Sequence, residues 1–248
     1  AINDVTGATS AMYWTPDGTP HVILQAEEGV LSCEVYDINT QGTAVGAALR
    51  YSGGVLTGFM RQADGSMTVW SGIATPAGPF LPFRVTDTGL ALGTNLYDGG
   101  TWTFDGQRVS RLRVEPDDPD CLGSSPSAIN ASGDIVGTVN FAGSYRERSS
   151  GYLYRQGGVE YIDRVFGPFT ELRDVNDAGD VLGFSGGIGL GPLRAFTWRD
   201  GVVTPLQQWA PGFGSVPVSI NNAGQVIGAV DDGIRWIPVV WIDGVPRD

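Results

Sequence analysis

The sequence predicts an all-β fold, and within that class a β-propeller, on three observations. One phrase returns at near-constant spacing, every return carries hairpin signals, and no stretch keeps a helical apolar period without a Gly or Pro interrupting it. The phrase is a β-branched residue, Asn or Thr, a turn with Gly, apolar residues and a second Gly. It reads Ile38-Asn39-Thr40-Gln41-Gly42-Thr43-Ala44-Val45-Gly46 and returns as Val85-Thr86-Asp87-Thr88-Gly89-Leu90-Ala91-Leu92-Gly93. Further copies span 129–137, 175–183 and 220–228, and Ala1-Ile2-Asn3-Asp4 opens in the same way. Counted from Ile2, the intervals are 36, 47, 44, 46 and 45 residues.

Each repeat also holds an aromatic run followed by Asp-Gly or Gly-Gly. Trp102-Thr103-Phe104 precedes Asp105-Gly106, Tyr152-Leu153-Tyr154 precedes Gly157-Gly158, and Phe196-Thr197-Trp198 precedes Asp200-Gly201. Such dipeptides between apolar runs mark tight hairpins, because both central positions favour positive φ. Two hairpins per repeat make four strands, the content of a propeller blade. A blade buries its faces only against its neighbours, so the ring must close. With blades drawn from the aromatic strand, five run from 11 to 232, and the segments 1–9 and 238–248 supply a sixth. The expectation is one domain over 1–248: six blades of about four strands, the ring closed by pairing of the N- and C-terminal segments. A five-bladed ring is the alternative.

Charge removes several functions. The chain of 248 residues carries 27 acidic and 15 basic side chains, net −12, and every basic one is Arg. That balance argues against a nucleic-acid backbone and against anionic lipid. No apolar run is long enough to insert in a membrane. The absence of Lys excludes Schiff-base chemistry, and a single histidine, His21, excludes a multi-His zinc site. His21 lies in a strand pattern with no Gly-x-Ser-x-Gly elbow in the chain, and reads as an ordinary strand residue.

The Ile-Asn-x-x-Gly-x-Val-x-Gly phrase followed by an aromatic strand and Asp-Gly resembles the HAF repeats of bacterial extracellular proteins. The resemblance is strongest over 129–158, 175–201 and 220–244. It implies a bacterial protein, extracellular or periplasmic, with propeller-like repeats; it implies no activity. Ala1 followed at once by repeat sequence fits a mature form whose leader has been removed.

Candidate sites sit where the repeats depart from one another. The turn Asp174-Val175-Asn176-Asp177-Ala178-Gly179-Asp180 is similar to calcium loops, but Ala178 occupies a ligand position, so calcium is admitted without a full ligand set and no cofactor is implied. Asn and Gly there suit a structural Asx turn. Residues 96–102 are similar to an Asp box one residue too short. Cys33 and Cys121 leave two states open, a disulfide and two buried thiols. Long connections at 74–83, 115–127 and 140–150 suit binding. Tyr145, Arg146 and Arg148 form the most contact-prone stretch. Trp70, Trp209 and Trp236 lie outside the repeated aromatic position and suit a ligand-facing platform.

These readings predict a non-enzymatic binding module for a glycan or protein ligand, acting through loops on one face. Two other classes compete: a carboxylate-dependent glycoside hydrolase or lyase with an axial pocket, and a structural repeat domain of a surface protein. A catalytic pocket should bring two carboxyls within about 5–10 Å of each other.

Overall fold

A computed structural model describes residues 11–14, 17–24, 30–50, 56–70, 78–142, 148–187 and 191–247. Every regular element among them is a β-strand. The chain divides into two compact units, 1–112 and 113–248.

In the first unit, β1 (Ala11–Trp14) and β2 (Pro20–Leu24) form a hairpin. Two four-stranded antiparallel sheets follow. The first comprises β3 (Val30–Ile38), β4 (Ala44–Arg50), β5 (Leu56–Arg61) and β6 (Met67–Trp70). The second comprises β7 (Phe80–Val85), β8 (Ala91–Asn95), β9 (Gly99–Phe104) and β10 (Val109–Leu112).

The second unit holds three such sheets. The third is β11 (Cys121–Ile129), β12 (Ile135–Phe141), β13 (Ser149–Arg155) and β14 (Gly158–Ile162). The fourth is β15 (Phe169–Val175), β16 (Val181–Gly186), β17 (Arg194–Arg199) and β18 (Val202–Pro205). The fifth is β19 (Ser215–Ile220), β20 (Val226–Asp231), β21 (Trp236–Ile242) and β22 (Val245–Arg247). One parallel bridge, Ser149 to Phe169, joins the third and fourth.

The all-β propeller expectation holds at the level of the sheet, but the repeat is phased differently. The Ile-Asn turn is a tight hairpin inside a sheet, joining its first two strands. The aromatic strand is the third strand, and the Asp-Gly turn leads to the fourth. Consequently β21 and β22 complete the fifth sheet and are not left over for one shared with the N-terminus. The reason is local. In every described copy the Asn or Thr N–H and carbonyl close the turn, as in Asn176 N to Asp180 O (3.1 Å) and Gly179 N to Asn176 O (3.0 Å). Residues 1–10, which carry the Ile2-Asn3 copy, lie outside the described residues.

The second glycine of each phrase has a steric cause. Gly46, Gly93, Gly137, Gly183 and Gly228 sit opposite a β-bulge in the first strand, where the register shifts at Val35/Asp37, Pro82/Arg84, Pro126/Ala128, Leu172/Asp174 and Pro217/Ser219. A Cβ at Gly183 would lie 2.7 Å from the Glu171 carbonyl oxygen and 2.9 Å from Phe196 Cζ; at Gly228 it would meet Trp241 Cζ3 at 2.9 Å. The glycine thus lets the bulged carbonyl and an aromatic ring of the third strand approach together.

The cores lie between consecutive sheets. Val136, Leu153, Leu172, Phe196 and Trp198 pack between the third and fourth, and Leu182, Ile220, Val226 and Trp241 between the fourth and fifth. In the first unit, Trp70 meets Phe80 and Phe104 edge-on, with centroids 5.1 and 4.9 Å apart.

Polar clasps register neighbouring sheets within each unit. Asn130 Nδ2 donates to the Asn176 carbonyl (3.0 Å), and Asn176 Nδ2 to the Asn221 carbonyl (3.1 Å). In the first unit, Asn39 Nδ2 donates to the Thr86 carbonyl (2.9 Å). The following residue adds a return bond: the Thr40, Ala131 and Asp177 amides donate to Asp87, Asp177 and Asn222 side chains at 2.8–2.9 Å. Asp37 and Asp174 reach across as well, to the Val85 and Ile220 amides (both 2.9 Å).

Three substitutions test this account. Gly183→Ala should lower stability by about 2–3 kcal/mol through overpacking. Gly158→Ala should change it by less than about 0.5 kcal/mol, since its nearest neighbour would be 3.6 Å away. Asn176→Ala should cost about 2–3 kcal/mol by stranding the Asp180 amide and the Asn221 carbonyl. Urea unfolding midpoints measure all three.

Candidate binding rim

Up-and-down strand order gives every sheet two unlike ends. The Ile-Asn and Asp-Gly turns share one end. The other carries the longer connections, those between second and third strands and those from one sheet to the next.

The turn end is closed by its own contacts. A groove of about 300 Å³ lies there, lined by Asp134, Arg155, Gln156, Asp177, Gly179, Arg199 and Asp200. Arg155 Nε donates to Asp134 (3.0 Å) and its Nη1 lies 3.6 Å from Asp200; Arg199 Nε donates to Asp180 (2.6 Å). These guanidiniums are already neutralised, and Arg155 ties the third sheet to a turn of the fourth. The groove is a brace. The sequence carried its signal unread: an Asp four residues after the Asn (Asp134, Asp180), with an Arg closing the aromatic strand (Arg155, Arg199). The Asn176 and Asp177 oxygens that a calcium loop would offer are bonded to backbone and to Asn222. Among the described residues no group of three or more His, Cys, Asp or Glu is arranged to hold a metal.

At the loop end of the second unit, the aromatic candidates part company with Trp70. Trp70 is 4 % exposed, locked in the core of the first unit, and offers no platform; it ends the fourth strand, where the inter-sheet core extends. Trp209 and Trp236 are 42 % and 51 % exposed. They stand on the connection from β18 to β19 and at the start of β21. The two segments are knitted together. Gln208 Nε2 donates to the Phe213 carbonyl (2.6 Å), the Phe213 ring packs on Gly233, and the Trp236 ring tip approaches Gly214 beside Pro192 and Leu193. Ile234, 92 % exposed, stands beside them.

Of the contact-prone stretch, Tyr145 and Arg146 lie outside the described residues. Arg148 lies over the Phe141 ring, 4.4 Å from its centroid, with Asp118 3.6 Å away. The acidic 115–120 segment is folded on itself. Ser124 Oγ donates to Glu115 (2.8 Å), the Cys121 amide to the Asp118 carbonyl, and the Ala142 amide to the Asp120 carbonyl (2.7 Å).

Two further guanidiniums of this unit lie on rings. Arg173, the bulge residue of β15, sits 5.1 Å from the Phe184 centroid and 3.0 Å from Glu171; Arg194, opening β17, sits 4.3 Å from the Phe166 centroid. Neither position follows a repeat rule, so sequence spacing held no signal for them.

Cys33 and Cys121 are both thiols. Burial pushes the Cys33 thiol up, whereas Cys121 is only half-buried. His21 is an exposed residue of β2.

Burial also pushes the Glu171 carboxyl above its ordinary 4.5, and the Arg173 guanidinium lowers it part of the way back. A carboxyl held high favours the protonated native state, so its contribution is full at low pH and is lost as pH rises through the raised value. Glu171→Gln should therefore gain stability relative to the parent between about pH 4 and 7. Parallel urea titrations across that range would contradict this if the difference stayed flat.

No family model and no curated protein matches the chain. Solved structures do. TolB from Acinetobacter baumannii matches with a TM-score of 0.53 at 15 % identity over 92 % of this chain and 56 % of its own. An oligogalacturonate lyase in complex with manganese matches with a TM-score of 0.58 at 13 % identity over 93 % and 70 %. The chain thus spans little more than half the length of the TolB structure. Both are β-propellers, and the likeness assigns this protein to the β-propeller class of all-β folds. The particular protein within that class is defined by its own rim and by its Asn-clasped repeats.

Proposed function

We propose that the protein is a non-enzymatic glycan-binding module, exported from a bacterial cell, that works through the loop end of its second unit. One observation carries the reading: Trp209 and Trp236, half-exposed, are fixed on two segments that pack against each other through Phe213, Gly214 and Gly233. Flat aromatic surface held rigid in water suits the apolar face of a sugar ring, and little conformational entropy is lost on binding. The resemblance of the repeats to HAF repeats supports export and a place among extracellular proteins.

A carboxylate-dependent hydrolase or lyase is the second reading. Glu171 favours it, as a half-buried acid with a raised pKa beside a guanidinium. It has no second carboxylate bonded to it among the described residues.

Titration of tryptophan fluorescence with neutral and uronate-containing oligosaccharides separates the two. Trp209→Ala and Trp236→Ala should each weaken binding about tenfold or more. Trp70→Phe should lower stability and leave binding unchanged. Release of new reducing ends, abolished in Glu171→Gln, would instead establish the enzyme.

A further inference from the structure

We propose that the two ends of the repeat array bind each other between copies of this chain, the outer face of the fifth sheet taking the β1–β2 hairpin of a second copy. Equivalent positions of the sheets point to it. The residue just before the crowded glycine of β4, β12 and β16 is Val45, Val136 and Leu182, and each is fully buried in the core shared with the sheet that follows. In β20 that residue is Ile227, and it is 51 % exposed. Its cross-strand neighbour Val240 is exposed as well, where Met60 and Leu153 at the same position are buried. With Val218 and Pro238 these two line a groove of about 350 Å³, and among its lining residues Arg247 alone is charged.

The polar clasp is incomplete at the same face. Asn176 uses both hydrogens of its side-chain amide, one on Asp180 of its own turn (3.0 Å) and one on the Asn221 carbonyl of the next sheet (3.1 Å). Asn221 places its amide on Gln225 Oε1 of its own turn (2.8 Å), and among the described residues no carbonyl of a further repeat meets it. The fifth sheet therefore carries the apolar side chains and the amide donor by which its predecessors hold a successor, and that face stands in water. Contiguous apolar surface of this kind marks an interaction site.

The start of the array supplies the matching face. Ala11 and Ile23 of the hairpin pack on the first sheet beside Cys33 and Phe59. Opposed residues of antiparallel strands share a face, so Met12 with Val22 and Trp14 with Pro20 lie on the other side. Trp14 there is 63 % exposed, and Val22 is exposed too. The hairpin thus turns one face to its successor and leaves open, and apolar, the face that a predecessor would cover. The fifth sheet leaves open the face that a successor would cover. Joining them repeats the contact that already runs from the first sheet to the second, and from the third through the fourth to the fifth. Both faces are exposed within the single chain, so a second copy makes the contact. It joins unlike faces, and every copy can make it twice. The net charge of −12 opposes association at long range, and salt screens that repulsion without weakening an apolar contact.

Light scattering on the full chain across a wide range of concentration reads the contact. The mass should rise above that of one chain as concentration rises, and more readily in high salt. Ile227→Asp and Trp14→Asp should each weaken self-association at least about tenfold. An equimolar mixture of the two should recover a one-to-one pair, because Trp14→Asp keeps the fifth-sheet face and Ile227→Asp keeps the hairpin face. Circular dichroism checks both folds; Val218→Asp and Val22→Asp repeat the test on the same two faces where either variant fails to fold. A single chain at every concentration overturns the inference, and a lower urea midpoint of Ile227→Asp in that case shows the face covered within its own chain. Self-association that survives Trp14→Asp overturns it too, because fifth-sheet faces would then be meeting each other. A mixture that stays monomeric overturns the assignment of the two faces to each other.

Discussion

Each described four-stranded sheet depends on one crowded place, where a bulged backbone and an aromatic or apolar side chain close in on the α-carbon of a glycine. The bulge puts one extra residue into the first strand and turns its carbonyl toward the second. Only a residue without a Cβ accepts that approach while Phe59, Trp102, Tyr152 or Phe196 lies opposite on the third strand. The same bulge re-aims the side chains around it. Asp37 and Asp174, which follow the displaced residue, point across to the next sheet, and the displaced Arg173 meets Phe184. Local steric fit and inter-sheet registration are therefore one arrangement, not two.

From this follows a division of labour between the two ends of the strands. The turn end is spent on structure: among the described residues, Asn130, Asn176, Asp134, Asp177, Asp180, Arg155 and Arg199 are bonded to one another or to backbone there. At the loop end the polar groups are less completely paired and aromatic surface stays in water. Exposed Trp209 and Trp236 do not help to bury a core. The proposed function rests on that exposed aromatic surface and not on the 300 Å³ groove at the opposite end, whose charges cancel internally.

The architecture was largely legible because the repeat is written in residues with few alternatives. Asn39, Asn130, Asn176 and Asn221 each announce a hairpin that the side-chain oxygen closes, as the Thr86 hydroxyl does in the second sheet, and the aromatic-then-Asp-Gly signal placed the third and fourth strands. The sheet boundary was not legible. A turn within a sheet and a link between sheets can share the same residues, and the bulge that decides the matter leaves no mark except the glycine opposite it. At the rim, Trp209 and Trp236 stood out by breaking the pattern, while Trp70 broke it for a packing reason, since its ring fills the space between Phe80 and Phe104.

The amide clasp has one more consequence. Asn130 hands a hydrogen bond to Asn176, and Asn176 hands one to Asn221, so Asn176 offers its backbone carbonyl to the repeat before it and its side-chain amide to the repeat after it. Excision or duplication of one whole repeat, between any two equivalent positions, would rejoin matching halves, whereas a cut out of register would leave a donor without its acceptor. Insertion or removal of a whole module is thus the change these clasps tolerate, and the longer connections at the far end lie outside that constraint.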